Sequence, residues 1–469
     1  MNRYFILPLL AAVAILLGGG CDSQLDIVPK GQTTLDRTSD LELLLNQVYD
    51  MGDLPYSDLC QITGEGIGMG ESVASMLSST NTLAYAYLAY DESVDRITLA
   101  QEDTKYSTLY RYINYMNTLL AKIDAAEGLD ERKPQLKAEA RILRAYFHWL
   151  IAGIFAAQYD SASAEKLGGI AYVEDIDNTK VKEKLPLATV YEKILDDCSD
   201  EVIALLSESN TDVCRAAQDF GNAVRGRVLM QMKRYSEALP YLERSIELNP
   251  SIDDRASIKE SEEWVLDRTD KVNIFYFSGG PQVNPTMEIL TRESFAKFDK
   301  NDYVKKYCGD NGWNLSMGSM YSGLTGYPMC MSWTVKGNPW GMTSVRTRLA
   351  AAECLIRTGN IRKGLEYTDM VRKAHIENAA SYVKIHDMLP FTETAAMHLL
   401  QQTKWVENIG SYENFFDMKR WNTEEEYVTT VSKDLDTYGV KTLSPESPLW
   451  ILPFPGKATR YNPTLTQNF

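Results

Sequence analysis

Residues 222–250 read NAVRGRVLMQMKRYSEALPYLERSIELNP, and this stretch predicts the architecture of the 469-residue chain. Gly226 is followed by Leu229, Ala238 is followed by Leu242, and Pro250 closes the run. A small residue lets two helices cross closely, and a proline cannot continue a helix. The stretch therefore predicts two helices that pack against each other.

The spacing within this pair reproduces the 34-residue tetratricopeptide template, in which each repeat is one helix pair. Tyr235 fits a further position of that template, whereas Asn222 stands where the template favours Trp. A weaker copy occupies residues 350–374, with four residues in register: Ala352, Leu355, Gly359 and Ile361. Two copies about 126 residues apart predict a mainly α-helical repeat scaffold that is interrupted by a long insertion.

Further helices are predicted upstream of the first repeat. Apolar residues recur at steps of three and four over residues 106–124 and 134–155, which indicates two amphipathic helices. Another helix is predicted to begin at Thr189, where Glu192 completes a capping box, and to continue as far as Leu205.

Two long segments differ from the helices in composition. Residues 51–104 and 277–340 are rich in Gly, Ser, Asn, Tyr and Trp and show little helical period. Loops of this length inside a domain are either functional or disordered, and the aromatic content argues against disorder. Both segments are therefore predicted to be functional insertions.

The amino terminus has the layout of a secretory signal. The uninterrupted apolar stretch runs from Phe5 to Gly20. It is too short for a transmembrane helix, because about 20 apolar residues are needed to span the hydrocarbon core of a bilayer. The LGGGC sequence that ends at Cys21 is similar to a bacterial lipobox, although Gly18 stands where that motif usually has Leu. We predict a signal peptide over residues 1–20 and lipidation at Cys21, with a plain signal peptide or an uncleaved anchor as alternatives.

Composition narrows the class of partner. The formal net charge is −16, and removing residues 1–20 deletes only Arg3, which gives −17. An acidic chain repels phosphate backbones, so no nucleic acid partner is expected. Apolar residues make up 44% of the chain, which is ample for a core. We predict a single domain over residues 21–469.

No motif indicates catalysis, a metal site or a cofactor. The glycine-rich residues 64–71 lack the Lys-Ser/Thr of a phosphate-binding loop, and neither H-E-x-x-H nor G-x-S-x-G nor C-x-x-C occurs. Acidic residues are so abundant that counting alone leaves a glycosidase carboxylate pair open. Among the seven cysteines, Cys198 and Cys354 are predicted core residues, and Cys308 and Cys330 are the best candidates for a disulfide.

Six motifs follow one another along the chain. They are Cys21 with Leu25, Asp26 and Pro29; Tyr110, Ile113 and Asn117; Ala138–Arg141 with Arg144–Phe147; Arg348, Ala352 and Glu353; Phe416–Trp421; and Leu452–Pro455 with Asn462, Pro463 and Thr466–Asn468. With these motifs the chain resembles the SusD/RagB family of outer-membrane nutrient-binding lipoproteins of Bacteroidota over essentially its whole length. It departs from the family pattern at Ser411–Asn414, where a Glu-Gly-x-Arg type of stretch is usual.

The resemblance implies a SusD-like fold of about four tetratricopeptide-like helix pairs with irregular loops on one face. It also implies a non-enzymatic protein that captures a glycan at the cell surface and acts as a lid on a SusC-like TonB-dependent transporter of the outer membrane. Peptide binding is the alternative within the family. A surface glycoside hydrolase and a structural adhesin are the alternatives from other classes.

Four charged residues of these motifs lie on or beside apolar helices: Arg141, Arg144, Asp417 and Arg420. Charges near a core need partners. We therefore expect internal ion pairs that hold the helix of residues 134–155 to the C-terminal segment, rather than contacts with a ligand.

The predicted ligand site uses aromatic side chains of the two insertions. A sugar ring has an apolar face and a rim of hydroxyls, so its site needs flat aromatic platforms with a few polar groups. The candidates lie in polar, Gly-rich context: Tyr85, Tyr87, Tyr90, Trp313, Tyr321, Trp333 and Trp340. Tyr85 and Tyr87 fit a short strand packing one face equally well, and Trp340 fits a core position, so about half of the seven are expected to touch ligand.

Overall fold

The computed structural model describes residues 35–469, apart from residues 48, 50–53, 69–71, 178, 210–211, 278–287, 311, 329–336 and 389. The predicted signal peptide and the lipidation at Cys21 lie outside the described residues. The described chain is mainly helical, which confirms the predicted fold class. Its helices are all too short or too polar to cross a membrane.

The helices, numbered in chain order, are α1 (Thr38–Glu42), α2 (Ser57–Thr63), α3 (Val73–Ser78), α4 (Leu83–Ala89), α5 (Arg96–Leu99), α6 (Thr104–Lys122), α7 (Lys133–Phe155), α8 (Leu187–Asp197), α9 (Asp200–Ala204), α10 (Gln218–Gln231), α11 (Tyr235–Leu248), α12 (Ile258–Ser261), α13 (Arg292–Ala296), α14 (Gly312–Ser322), α15 (Ser344–Arg357), α16 (Ile361–Ala374), α17 (Glu393–Glu407), α18 (Glu413–Trp421) and α19 (Gly456–Tyr461). The strands are β1 (Gly66–Gly68), β2 (Gly168–Ala171), β3 (Lys184–Pro186), β4 (Asn273–Phe275), β5 (Glu288–Leu290), β6 (Met342–Thr343), β7 (Val431–Asp434) and β8 (Val440–Leu443). They pair antiparallel as β1–β5, β2–β3, β4–β6 and β7–β8.

Both predicted repeats are helical hairpins, α10–α11 and α15–α16. In the first, a Cβ on Gly226 would lie 2.7 Å from Leu242 Cγ, so the helices cross too closely for a side chain. In the second, the glycine lies on the other helix, where a Cβ on Gly364 would lie 2.7 Å from the carbonyl oxygen of Ala352. The two hairpins stack through α11 and α15, which gives the predicted repeat scaffold.

Helix α8 packs against the α6–α7 hairpin and contributes the buried residue Asp197 to it. Its carboxylate accepts hydrogen bonds from Arg144 Nε at 2.6 Å, Arg144 Nη2 at 2.7 Å and Arg141 Nε at 2.9 Å. Asn117 Oδ1 accepts from Arg144 Nη1 at 2.9 Å. Internal ion pairing of both arginines is therefore confirmed. The predicted link to the C-terminal segment is wrong for them, because their partner Asp197 lies on α8 and not in that segment.

Helix α8 begins two residues earlier than the capping box predicts, so the predicted N-cap at Thr189 is wrong. The first amides are satisfied by backbone instead, since Leu187 N–H donates to Leu167 O at 2.9 Å and Ala188 N–H donates to Ala164 O at 3.1 Å. The helix also ends at Asp197, and a separate helix α9 follows. Tertiary hydrogen bonds thus replace the side-chain cap that the local sequence suggests.

The C-terminal motif residues form a second buried charge cluster, which confirms internal ion pairing of Asp417 and Arg420, but the predicted link to the helix of residues 134–155 is wrong for them. Arg420 donates to Glu353 Oε2 at 3.0 Å and to Asp417 Oδ1 at 2.9 Å, while Lys404 Nζ lies 2.9 Å from Glu353 Oε2 and 2.7 Å from Asp417 Oδ2. Burial alone would raise the pKa of Glu353, but Arg420 and Lys404 hold it well below its usual range. The cluster joins α15, α17 and α18.

Helix α7 meets the C-terminal segment through its own last carbonyls. Lys419 Nζ donates to Gly153 O at 2.8 Å and to Ala156 O at 2.5 Å. Asn468 Nδ2 donates to Phe155 O at 2.8 Å. These side chains satisfy carbonyls that a helix end leaves without intrahelical partners, so the tail motif has a structural role.

Candidate functional site

The two long insertions pack against each other. Strand β1 from the first insertion pairs with β5 from the second, with Gly66 opposite Leu290 and Gly68 opposite Glu288. Around this pair lies a hydrophobic cluster separate from the main core: Ile67, Val73, Met76, Leu88, Ile289, Leu324, Tyr327 and Leu435. We call β1, α3, α4, β5, residues 312–328 and the β7–β8 hairpin the insertion lobe.

Glu65 fixes the lobe to the scaffold at the start of β1. Its buried carboxylate accepts from Gly410 N–H at 2.5 Å and from Asn414 Nδ2 at 2.9 Å, while its carbonyl accepts from Thr291 N–H at 3.1 Å. Burial raises the pKa of Glu65 to about 7, against the opposing hydrogen bonds. Glu65 of the first insertion is therefore hydrogen-bonded both to the start of α18 with its preceding loop and to Thr291 of the second insertion.

Lys433 fastens the first insertion from the C-terminal side. The side chain is fully buried, and its ammonium donates to Gln61 O at 2.9 Å and to Tyr87 O at 3.0 Å. The same ammonium lies 4.0 Å from the ring centroid of Tyr90. Burial lowers the pKa of Lys433 well below its usual range.

Arg292 connects the second insertion to the β7–β8 hairpin. Its Nη2 donates to Asp436 Oδ1 at 2.5 Å and to Asp434 O at 3.2 Å, and its guanidinium lies 5.1 Å from the ring centroid of Tyr327. The Tyr327 hydroxyl also donates to Asp434 O. The lobe is thus assembled from three distant parts of the chain.

Three of the seven predicted ligand aromatics are buried. Tyr87 lies on α4 and Tyr90 caps it in a left-handed conformation, with the Tyr90 hydroxyl donating to Gln61 O at 3.1 Å. Trp340 is fully buried, stacks on Tyr412 at 5.6 Å and donates from Nε1 to Leu54 O at 2.6 Å. The core alternative therefore holds for Trp340, and Tyr85 and Tyr87 lie on a helix rather than a strand.

The remaining candidates lie nearer the surface of the lobe. Trp313 is 52% exposed near the start of α14, and Tyr321 at the other end of that helix is partly buried against the lobe cluster. Tyr85 is partly buried on α4, with its hydroxyl donating to Asp91 Oδ2 at 3.2 Å. Trp333 lies outside the described residues. The structure thus brings Tyr85, Trp313 and Tyr321 to one lobe.

Comparison with known proteins places this architecture. Residues 25–227 match a SusD-like family model described as starch-binding and associating with the outer membrane. A SusD superfamily protein from Bacteroides vulgatus has a similar fold, with a TM-score of 0.71 at 15% identity, covering 92% of this chain and 98% of that chain. The chain has the fold of SusD superfamily proteins.

Two further solved structures have a similar fold. A SusD superfamily protein from Bacteroides thetaiotaomicron gives a TM-score of 0.69 at 17% identity, covering 92% of this chain and 100% of that chain. Surface glycan-binding protein A from the same species gives 0.65 at 17% identity, covering 93% and 100%. No curated protein matches the sequence.

The described chain has cavities that the sequence did not indicate. One of about 610 Å³ is lined by Tyr106, Tyr110 and Tyr461. A second of about 680 Å³ is lined by Trp264 and Asp253, and a third of about 530 Å³ by Trp405. All three cavities lie outside the insertion lobe. The three tyrosines of the first cavity belong to helices outside the two insertions, so the composition of the insertions could not indicate them.

Cysteine and metal chemistry do not mark a site in the described residues. Cys198 and Cys354 are fully buried, which confirms their core assignment. Cys308 is a buried free thiol that donates to Glu262 O at 3.5 Å, and Cys330 lies outside the described residues. Among the residues that the structure describes, no three His, Cys, Asp or Glu side chains are grouped so that they could hold a metal ion.

Proposed function

We propose that this SusD-like protein binds a glycan on the exposed aromatic surface of the insertion lobe. The observation that carries the proposal is Trp313, which is 52% exposed while Tyr87 and Tyr90 of the same lobe are packed inside. An exposed indole is a flat platform for the apolar face of a sugar ring. The family description, starch-binding, and the name of the structurally similar surface glycan-binding protein A support the ligand class.

Delivery of the glycan to a SusC-like TonB-dependent transporter completes the proposed function. The family description, associating with the outer membrane, supports this location. Acylation of Cys21 would supply the anchor, because two or more acyl chains give stable attachment where one is marginal. The insertion lobe would then present the captured glycan to the transporter.

The proposed activity is binding rather than hydrolysis. A glycosidase needs a general acid of raised pKa that reaches the substrate. Burial raises the pKa of Glu65 to about 7 and the pKa of Asp302 to about 6, and both side chains are buried away from a substrate in solvent. Glu353 and Asp197 are instead held in the charged form by basic neighbours, with lowered pKa values.

Titration calorimetry with a panel of soluble oligosaccharides and peptides tests the ligand class. The panel contains maltoheptaose, cellohexaose, xylohexaose, mannohexaose and hexapeptides. We expect one oligosaccharide to bind and Trp313→Ala to weaken it by on the order of 1–3 kcal/mol, the loss of one anchor. Met388→Ala is the matched control, because Met388 is 57% exposed and lies outside the lobe.

Three results would count against the proposal. Unchanged oligosaccharide affinity in Trp313→Ala and Tyr85→Ala would remove the lobe site. Binding of peptides alone would change the ligand class. Release of reducing ends during incubation with the oligosaccharides would replace binding by hydrolysis.

A further inference from the structure

A cavity of about 610 Å³ lies between the start of α6, the chain after β2 and the C-terminal helix α19. Its size falls in the range of small-molecule sites, roughly 300–1,000 Å³. None of its lining residues belongs to the insertion lobe. If it holds a ligand, that site is additional to the one proposed above.

The floor of the cavity is aromatic and rigid. The rings of Tyr106 and Tyr110 lie 4.7 Å apart, and Tyr106 also packs edge-on against Phe155 at 5.3 Å. The Tyr110 hydroxyl donates to Ala171 O at 2.8 Å. These contacts hold both rings in place before any ligand arrives.

The rim carries an unusually exposed aromatic ring. Tyr461, the last residue of α19, is 80% exposed, and Val181 across the cavity is 53% exposed. The backbone at Tyr461 is held by its neighbour Asn462, whose N–H donates to Ala458 O at 3.0 Å and whose Nδ2 donates to Lys182 O at 2.5 Å. The ring is therefore presented by an ordered backbone, as in a stacking platform.

The charges around the cavity cancel. Lys457 pairs with Glu102, Lys182 pairs with Asp175, Lys105 lies 3.2 Å from Asp103, and Lys180 lies 3.4 Å from Asp177. Such a rim has no net charge with which to select an anion or a cation. Each ammonium nonetheless has three donors, and each carboxylate has lone pairs to spare, so the rim can both donate to and accept from hydroxyl groups.

We infer that this cavity is a second carbohydrate subsite, in which a neutral sugar ring stacks on Tyr461 above the floor of Tyr106 and Tyr110. A neutral ligand with one apolar face and a rim of hydroxyls matches an aromatic wall bordered by paired charges. This inference rests on the proposed function for the class of ligand, but it involves different residues. A glycan that spans both sites would gain affinity from the second contact.

The test measures the same oligosaccharide panel against Tyr461→Ala, Tyr461→Phe, Trp313→Ala and the Tyr461→Ala/Trp313→Ala double variant. We expect two binding events per wild-type chain, of which Trp313→Ala weakens only the lobe event, Tyr461→Ala weakens only the second event, and the double variant weakens both. Tyr461→Ala should weaken its event about 3- to 10-fold, the effect of one lost stacking contact. Tyr461→Phe keeps the ring and should stay within about twofold of wild type. Because the Tyr461 side chain is exposed, unfolding midpoints should be unchanged.

Hydroxyl-radical labelling locates the ligand independently. Labelling of Tyr461 should fall when the binding oligosaccharide is added. Tyr438, which is 41% exposed on the β7–β8 connection of the insertion lobe, is the control: with the oligosaccharide present, its labelling should be the same in wild type and in Tyr461→Ala. Unchanged calorimetry in Tyr461→Ala together with unprotected Tyr461 would overturn the second subsite and leave the lobe site intact. Weakened binding in Tyr461→Ala with unchanged binding in Trp313→Ala would overturn the lobe site and leave the second subsite intact. Loss of transporter co-purification alone in Tyr461→Ala would overturn it in favour of protein docking.

Discussion

Replacing Arg420 by Met should be among the most damaging single changes to stability in this protein. Arg420 and Lys404 balance the charges of Glu353 and Asp417, and all four side chains are at most 2% exposed. Removing Arg420 leaves two buried carboxylates that share one lysine. Breaking a buried ion pair from one side costs about 3–5 kcal/mol, which is a large part of a typical total of about 5–15 kcal/mol.

Urea unfolding followed by circular dichroism measures the change, and the chain offers a matched control. Arg362 also faces two carboxylates, Glu366 at 3.5 Å and Asp387 at 2.8 Å, but it is 66% exposed. Arg362→Met should cost less than about 1 kcal/mol, because solvent already screens such pairs. Equal losses in Arg420→Met and Arg362→Met would refute the assignment of a buried, mutually dependent cluster.

The pH dependence gives a second readout of the same cluster. The folded pKa of Glu353 is depressed, so its stabilising contribution is present above its unfolded pKa, about 4.5, and is lost as the pH falls below that value. Arg420→Met should lose less stability than wild type on going from pH 7 to pH 4. A steeper loss in the variant would contradict the role given to Arg420.

Three other outcomes follow from features described above. Gly226→Ala should destabilise by about 1–3 kcal/mol, because the new Cβ overpacks against Leu242, whereas Gly312→Ala, which meets no atom within 4 Å, should be close to neutral in the same urea assay. Burial lowers the pKa of Lys419 from 10.5 to about 7. The free energy of unfolding should therefore rise between about pH 7 and 10, because the unfolded chain binds more protons than the folded chain in that range. A Lys419→Met variant with the wild-type slope would contradict this. Cys21→Ser should leave an unlipidated precursor, and persistent acyl labelling of that variant would refute the lipobox prediction.

The scaffold was predictable because its helices are long enough to display a period. Helices α10, α11, α15 and α16 have fourteen residues each, about four turns, so apolar spacing is visible in the sequence, as is the close-packed Gly226 of the first pair. In the first insertion, α2, α3, α4 and α5 have four to seven residues. One or two turns cannot establish a period, so the sequence predicted irregular structure where short helices pack.

The aromatic candidates show what composition leaves undetermined. Trp313 and Trp340 lie in the same insertion and in similar polar, Gly-rich context. Trp340 precedes β6, where the chain re-enters the core beside β4, and a Cβ on its neighbour Gly341 would lie 2.1 Å from Phe275 O. Trp313 lies on α14 and keeps half its surface in solvent. Only the three-dimensional path of the chain distinguishes a core tryptophan from a platform.

The pairing of β1 with β5 sets the order in which this protein can mature. Residues 66–68 find their strand partners only at residues 288–290, and the same lobe is closed by Leu435 and Lys433 near the end of the chain. Contacts of such sequence separation form late, because the loop between them must first be closed. Because synthesis proceeds from the amino terminus, the lobe cannot be completed until almost the whole polypeptide has been made. A nascent chain would have its α6–α7 hairpin long before it had the insertion lobe, so a complete lobe is restricted to completed molecules.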